Sequence, residues 1–446
     1  MNILIVGNGF DLSHYLPTKY DHFMVAMDAI ENWDELKGDM GFDDLFGFLY
    51  EKESYFFGYT KAMYKTGEIK ISIDQIKELK IKLKENIWYQ YFGDHVREVK
   101  TWIDFELKIQ EALRVVFNFF EQLEQLQKTT DFFESVIKHN KNNADNCYIV
   151  LRKKESYILS ILNILIGKFY IFKDFEDYPG VYVKKNIEVE RNANWFESKY
   201  ELNNKYISEL KSYCEFNFSK VIFDLQQSLD DFLILFEWYL SLLECLVKHK
   251  NFKKLEIMSN SKLSKIYSFN YTKTPEKIYD FSNIDFLHGA VESSNMVLGV
   301  SNLDSQILEK YNFYGFVKYH QKLMKNTHYN FILEDKVVMD VIRNARGDFY
   351  KDGYDLNIII WGHSLDRSDE NYIREVFSFN EKIDEQIKVI IFYFNNSAYF
   401  DLLSNLILIL GIEKVENWMK KGWLIFEKNP DIAEINDIKP IDLPKM

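Results

Sequence analysis

Ile3-Leu4-Ile5-Val6-Gly7-Asn8-Gly9-Phe10-Asp11-Leu12-Ser13 opens the chain. Four consecutive apolar residues, three of them β-branched, read as a strand buried on both faces, which is the habit of a parallel sheet. Gly7-Asn8-Gly9 then makes a tight turn that should open a helix. Such a turn lets backbone approach a phosphate closely, and the helix start offers free N–H groups. A tight turn with no ligand reads the same way, and Leu12 stands where a dinucleotide fingerprint has its third glycine.

Runs of the same kind return near the other end. Ile266-Tyr267-Ser268-Phe269 leads into Asn270, and Ile284-Asp285-Phe286-Leu287 into His288-Gly289. Met296-Val297-Leu298 leads into Gly299, and Leu356 to Trp361 into Gly362. Lys388 to Phe394 leads into Asn395, and Trp423-Leu424-Ile425-Phe426 reads as a last strand. In open α/β sheets the ligand crevice lies outside the carboxyl ends of the strands, so polar residues there are the first candidates for chemistry.

Between these strand-rich ends, from about Thr18 to Ser264, apolar residues recur at helical spacing. Leu113, Val116, Phe117, Phe120 and Leu123 share one face, as do Phe232, Leu235, Phe236, Tyr239 and Leu243. Glu176 to Asn194, with Pro179-Gly180, reads as an irregular break. The expected architecture is α/β: a Rossmann-like, three-layer parallel sheet domain, discontinuous over residues 1–20 and 262–446, with an α-helical insertion domain over 21–261.

Composition narrows the function classes. The 446 residues are 47% hydrophobic and carry a formal charge of -13, which disfavours bulk nucleic-acid binding. The alternating lysines of Lys77 to Lys84 read as a solvated helix face rather than a binding patch. Cys147, Cys214 and Cys245 stand far apart with no Cys-x-x-Cys pair. This fits a reducing cytoplasm, with the cysteines packing as small hydrophobes. No metal-ligand pattern is present, Asp104 and Glu106 included. The start of the chain has no basic region or cleavage site, so no signal peptide is expected. The apolar stretch Tyr157 to Phe172 is too short for a membrane span and reads as a buried helix.

Asn270 can donate and accept at once, which suits ribose hydroxyls or a positioned water, or it caps the helix that Pro275 opens. His288 can act as a general base near neutral pH, or be a half-buried histidine bonded to backbone. Ser364 can cap a helix or contact phosphate. Asp366 and Asp369 can hold a ribose or cap a helix, with capping preferred for Asp369.

Val6 to His14 with Leu16-Pro17-Thr18-Lys19-Tyr20 resembles the opening of the bacteriophage abortive-infection AbiH family. Trp102 to Glu106, Tyr267 to Thr272, Leu287-His288-Gly289 and Trp361 to Asp366 resemble later blocks of that family, in the same order. The blocks also resemble, more distantly, the sirtuin-like NAD-binding fold. That resemblance implies NAD contacts at Gly7, Gly9, Asn270, His288, Gly362, Ser364 and Asn395, with Asn270 and His288 as the catalytic pair; Asn8, Phe10 and Asp11, in the turn assigned to pyrophosphate and ribose, and Asp366 complete the expected nucleotide-binding set. The chain departs from sirtuins at Asn8 and Phe10-Asp11, has Thr272 where they carry Asp, and lacks their zinc module. These departures argue against protein deacetylation. The resemblance implies a cytoplasmic anti-phage effector that binds NAD and cleaves its nicotinamide–ribose bond without a metal. Its partners would be the nucleotide, a phage or host trigger protein and further copies of itself, with no membrane. The alternative is a non-catalytic nucleotide-binding switch whose helices sense a partner.

Overall fold

The computed structural model describes residues 2–93, 102–129, 147–166, 180–183, 201–210, 213–247, 252–253, 255–258, 263–328, 330–340, 342, 356–382 and 387–444. Its centre is a six-stranded sheet in the order β3-β2-β1-β4-β5-β6. The strands are β1 (Asn2–Val6), β2 (Leu263–Ser268), β3 (Ile284–Phe286), β4 (Leu356–Trp361), β5 (Ile387–Tyr393) and β6 (Leu424–Lys428). All neighbours pair in parallel. This is the strand order of a doubly wound, Rossmann-like sheet, which reverses direction of growth between β1 and β4. The opening strand lies at the centre of the sheet, between strands some 260 and 350 residues further along the chain.

The period of two along each strand sorts side chains to opposite faces. Leu4, Val6, Ile359 and Trp361 enter one core, and Ile3, Ile5, Ile358 and Ile360 enter the other. Helices Glu370–Val376, Asn396–Leu410 and Ile412–Lys420 cover the second face through Ile373, Leu402, Leu406 and Trp418. Helices Tyr20–Glu31, Trp102–Thr129 and Phe218–Val247 belong to the first core. The sheet face and the helical region therefore share one continuous apolar interior. Phe105 stacks on Phe232 at 5.3 Å within it, and Leu113, Val116, Phe120 and Leu123 are all buried as their spacing predicts.

The middle of the chain holds more than helices. Four two-stranded antiparallel sheets occur there, among them Met40–Gly41 with Lys70–Ile71 and Cys147–Val150 with Gly180–Val183. The expected buried helix over Tyr157 to Phe172 is not formed as one element. Helix Lys153–Ile161 ends at Leu162, Asn163 takes the left-handed conformation (φ 58°), and Leu165–Ile166 is a strand. Asn tolerates that backbone better than other side-chain-bearing residues, which stops the helix there. Residues 167–172, and Glu176 to Asn194 apart from Gly180–Val183, lie outside the described residues.

Two smaller expectations are also corrected. Met296 to Leu298 is not a strand, because Gln321 occupies the strand-neighbour position. Its side chain accepts from Leu298 N and donates to Leu298 O, each at 2.9 Å. Cys245 is exposed on its helix rather than packed in the core. The Lys77–Lys84 stretch lies on helix Ile73–Glu85, which buries Ile76, Leu79 and Leu83 and pairs Lys77 and Lys80 with Glu35 and Lys82 with Glu78. Among the described residues no helix is long and apolar enough to cross a membrane.

Candidate functional site

The glycine turns at the ends of β1 and β4 lock together. Gly7 N donates to Trp361 O at 3.1 Å and Gly9 N donates to Gly362 O at 2.8 Å. A Cβ on Gly9 would stand 2.7 Å from Gly362 Cα, and one on Gly362 would stand 2.1 Å from Phe10 N. Gly362 also has φ 73°, whereas Gly9 is not among the positive-φ residues. Glycine is thus required here by backbone meeting backbone. Asn8 begins the short helix Asn8–Ser13 and is half-buried. Phe10 is fully buried and packs edge-on against Trp361 at 4.8 Å, a core position rather than a ligand contact.

Asp11 turns inward from the same helix. Thr272 Oγ1 donates to Asp11 Oδ2 at 2.6 Å, and Thr274 Oγ1 donates to Thr272 Oγ1 at 3.1 Å. Burial pushes the Asp11 carboxyl up to about 7, against the pull of the Thr272 bond. Its second oxygen, Oδ1, is buried without a partner. Asn270, one strand over, is in the same condition: it is buried, with Nδ2 unpartnered. It does not cap the next helix, which starts at Thr274 from Lys273 with Pro275 in its first turn.

Asn270 is flanked by two rings that lead into a charged cluster. Phe269 packs 5.3 Å from the ring of His288 and 4.3 Å from that of His363. Asp369 lies between the two histidines, 3.7 Å from His288 Nε2 and 3.4 Å from His363 Nε2. His363 Nδ1 accepts from Leu365 N at 2.9 Å, so the ring proton sits on Nε2, toward Asp369. Leu365 pays for this turn with φ 55°, a strained value for a bulky side chain. Burial disfavours the Asp369 charge, but the His363 hydrogen bond and the charge of Lys318 outweigh it and hold the carboxyl well below its usual range. Burial, then Lys322 and Lys318, hold His288 well below its usual value and therefore neutral. Its Nε2 has no hydrogen-bond partner.

The remaining members come from afar in sequence. Lys318 pairs with Glu106, and Lys322 Nζ donates to Tyr372 OH at 2.9 Å. Burial disfavours the Lys318 charge, but Glu106 and Asp369 outweigh it and hold the ammonium above its ordinary value. Glu106 belongs to the helical region, so that region contributes a charge to the cluster directly.

The assignment of Asp369 as a helix cap is corrected. It occupies the cap position of Glu370–Val376, but its side chain makes no cap bond and faces the histidines instead. Asp366 does the local backbone work, accepting from Ser368 N at 2.8 Å. Ser364 is exposed, and its carbonyl accepts from Asn405. Asn395 is exposed and caps helix Asn396–Leu410 through Ala398 N at 2.9 Å. The candidate site thus gathers Asp11, Asn270 and His288 from the sequence reading. It adds His363, Asp369, Lys318, Lys322, Glu106 and Tyr372, which that reading did not assign to it. His363 and Glu106 stand inside quoted motifs; Lys318 and Lys322 had only their spacing of four on one helix face.

The fold and this cluster of buried polar groups define a doubly wound α/β protein with its candidate site at the carboxyl edge of the sheet. Residues 3–393 match the family model described as bacteriophage abortive infection AbiH, and the chain belongs to that family. Membership indicates a role in phage abortive infection. Comparison with curated proteins and with solved structures gave no match.

Proposed function

We propose that the protein acts in abortive infection by binding NAD in the crevice over β1, β2 and β3 and hydrolysing its nicotinamide–ribose bond. The observation that carries this reading is the trio of unpartnered buried atoms Asp11 Oδ1, Asn270 Nδ2 and His288 Nε2 at three adjacent strand ends. Buried polar atoms are rarely left unpaired; Asn270 lies close enough to Asp11 to ease its charge, yet all three atoms remain without a hydrogen-bond partner, and such a set suits a ligand rich in hydroxyls.

In the proposed step the C1′–N bond breaks and its electron pair leaves with the nicotinamide. The oxocarbenium-like ribose is captured by water, and the water's proton passes to His288, giving ADP-ribose, nicotinamide and a proton. A neutral imidazole is the correct form for that role. Asp369, held ionised, stabilises the imidazolium that forms. Asn270 and Asp11 orient the ribose and the water. His288→Ala and Asn270→Ala are each expected to lose about 10²–10⁴ in nicotinamide release. The assay runs at matched folded concentration with infected-cell lysate added, and wild-type turnover in the His288 variant rules out this mechanism.

A second reading is favoured by the Lys318–Glu106 ion pair. It ties the crevice to the helical region, as a nucleotide-binding switch would require. NAD binding without nicotinamide release under any condition selects it.

A further inference from the structure

Lys322 is buried, with 6% of its surface exposed. Among the described residues no carboxylate lies within ion-pair distance of it, and its ammonium donates to the hydroxyl of Tyr372. The ammonium has three N–H donors and no acceptor; Tyr372 spends its acceptor on one of them and keeps its own O–H to donate. The ammonium also lies over the Tyr372 ring, 4.9 Å from its centroid, and among the described residues no acceptor meets the pair's remaining donors. An uncompensated ammonium in a largely closed site is costly unless an anion completes it. Tyr372 is half-buried and packs 5.2 Å from Phe269, which places the pair on the rim of the cluster. The neighbouring charges do not fill this role, because Lys318 engages Glu106 and Asp369 faces His363. Burial, with Lys318 beside it, also draws the Lys322 ammonium down to about 8, against the weaker pull of Asp369 and Glu106.

We propose that Lys322 and Tyr372 form a phosphoryl-binding subsite that anchors the ligand's phosphates beside β2 and β3. The glycine turn after β1 is then a structural latch rather than the phosphate loop, since Gly9 N is already committed to Gly362 O. The ligand's identity as NAD rests on the reading above; the anion site does not.

The test is calorimetric titration of pyrophosphate, and separately of NAD, into the full-length wild type, Lys322→Met, Lys322→Arg and Tyr372→Phe. The wild type is expected to bind pyrophosphate, and Lys322→Met to weaken it at least about tenfold, the size of a charge-assisted hydrogen bond. Lys322→Arg should stay within about threefold of wild type, and Tyr372→Phe should fall between, because one donor of the set is lost. Without ligand, Lys322→Met should melt at or above the wild-type temperature, since an unpaired buried charge is gone. If that variant does not fold, Tyr372→Phe carries the test, and pyrophosphate affinity equal to wild type in it overturns the proposal. Lys322-dependent pyrophosphate binding without NAD binding keeps the subsite and removes NAD. NAD binding that is equal in wild type and Lys322→Met keeps NAD and removes the subsite. Failure of the wild type to bind pyrophosphate overturns the proposal outright.

Discussion

The carboxylate of Asp369 stands 3.7 Å from Nε2 of His288, although 81 residues separate them in the chain. The contact joins the turn after β3 to the turn after β4 across two intervening strand ends. In the proposed reaction it makes Asp369 the partner of the imidazolium. Asp369→Asn is accordingly expected to lower nicotinamide release by about 10–10³-fold at matched folded concentration, because the imidazolium loses the opposite charge beside it. Turnover within a factor of a few of wild type would return Asp369 to a purely structural role.

Asp11 gives the fold a pH dependence. Its folded-state pKa, about 7, lies above the ordinary 3.8. The folded chain therefore keeps a proton that the unfolded chain has released between those values. This contribution to stability is complete below pH 3.8 and is lost as pH rises to about 7. The slope is about 1.4 kcal/mol per pH unit at most. Asp11→Asn should flatten the urea midpoint between pH 4.5 and 6.5 by a corresponding amount, and an unchanged profile would contradict the burial of an unsatisfied carboxyl.

Gly9→Val is expected to damage the fold before it touches any ligand. The Cβ meets Gly362 Cα at 2.7 Å, and that atom is backbone and cannot step aside. Overpacking of this kind costs about 3 kcal/mol or more, readable as a lowered denaturation midpoint. A variant with wild-type stability and lost binding would instead favour a phosphate loop.

The Lys318–Glu106 pair is buried on both sides, so removing one partner leaves an uncompensated charge. Glu106→Leu or Lys318→Met alone should cost about 3–5 kcal/mol, and the double replacement should recover most of it. Additive single effects in the double-mutant cycle would mean the pair is not coupled.

A fragment of residues 262–446 lacks β1, which pairs on both sides at the centre of the sheet. Two unpaired edges would face each other across the gap. The fragment should be insoluble or molten; a dispersed NMR spectrum would show that β2 and β4 can close without it.

The sheet was legible in the sequence because each of its strands is a short apolar run ending in Gly, Asn, His or a charged turn. The physical signal is local there. It misled at Met296 to Leu298, where a glutamine side chain 23 residues away stands in for a neighbouring strand. The sheet-edge residues Asn270 and His288 could be nominated as candidates from their place at strand ends. Asp369 could not be told from a cap, because a cap and a buried acid share the same residue type and the same helix position. Nothing local marks Lys318 and Glu106 as partners: they stand 212 positions apart, on helices Lys318–Lys325 and Trp102–Thr129, and only the folded chain brings them together.

The latch between Gly9 and Gly362 bears on how a ligand gets in. In most doubly wound proteins the gap between the two halves of the sheet is the doorway. Here backbone hydrogen bonds from Gly7 N to Trp361 O and from Gly9 N to Gly362 O fasten the turns after β1 and β4 to each other across that gap. The charged cluster gathers to one side of it, where Lys318 and Lys322 of helix Lys318–Lys325 meet Glu106 and Tyr372. A displacement of Glu106 in the helical region therefore disturbs Lys318, and through its charge the Asp369 that faces both histidines.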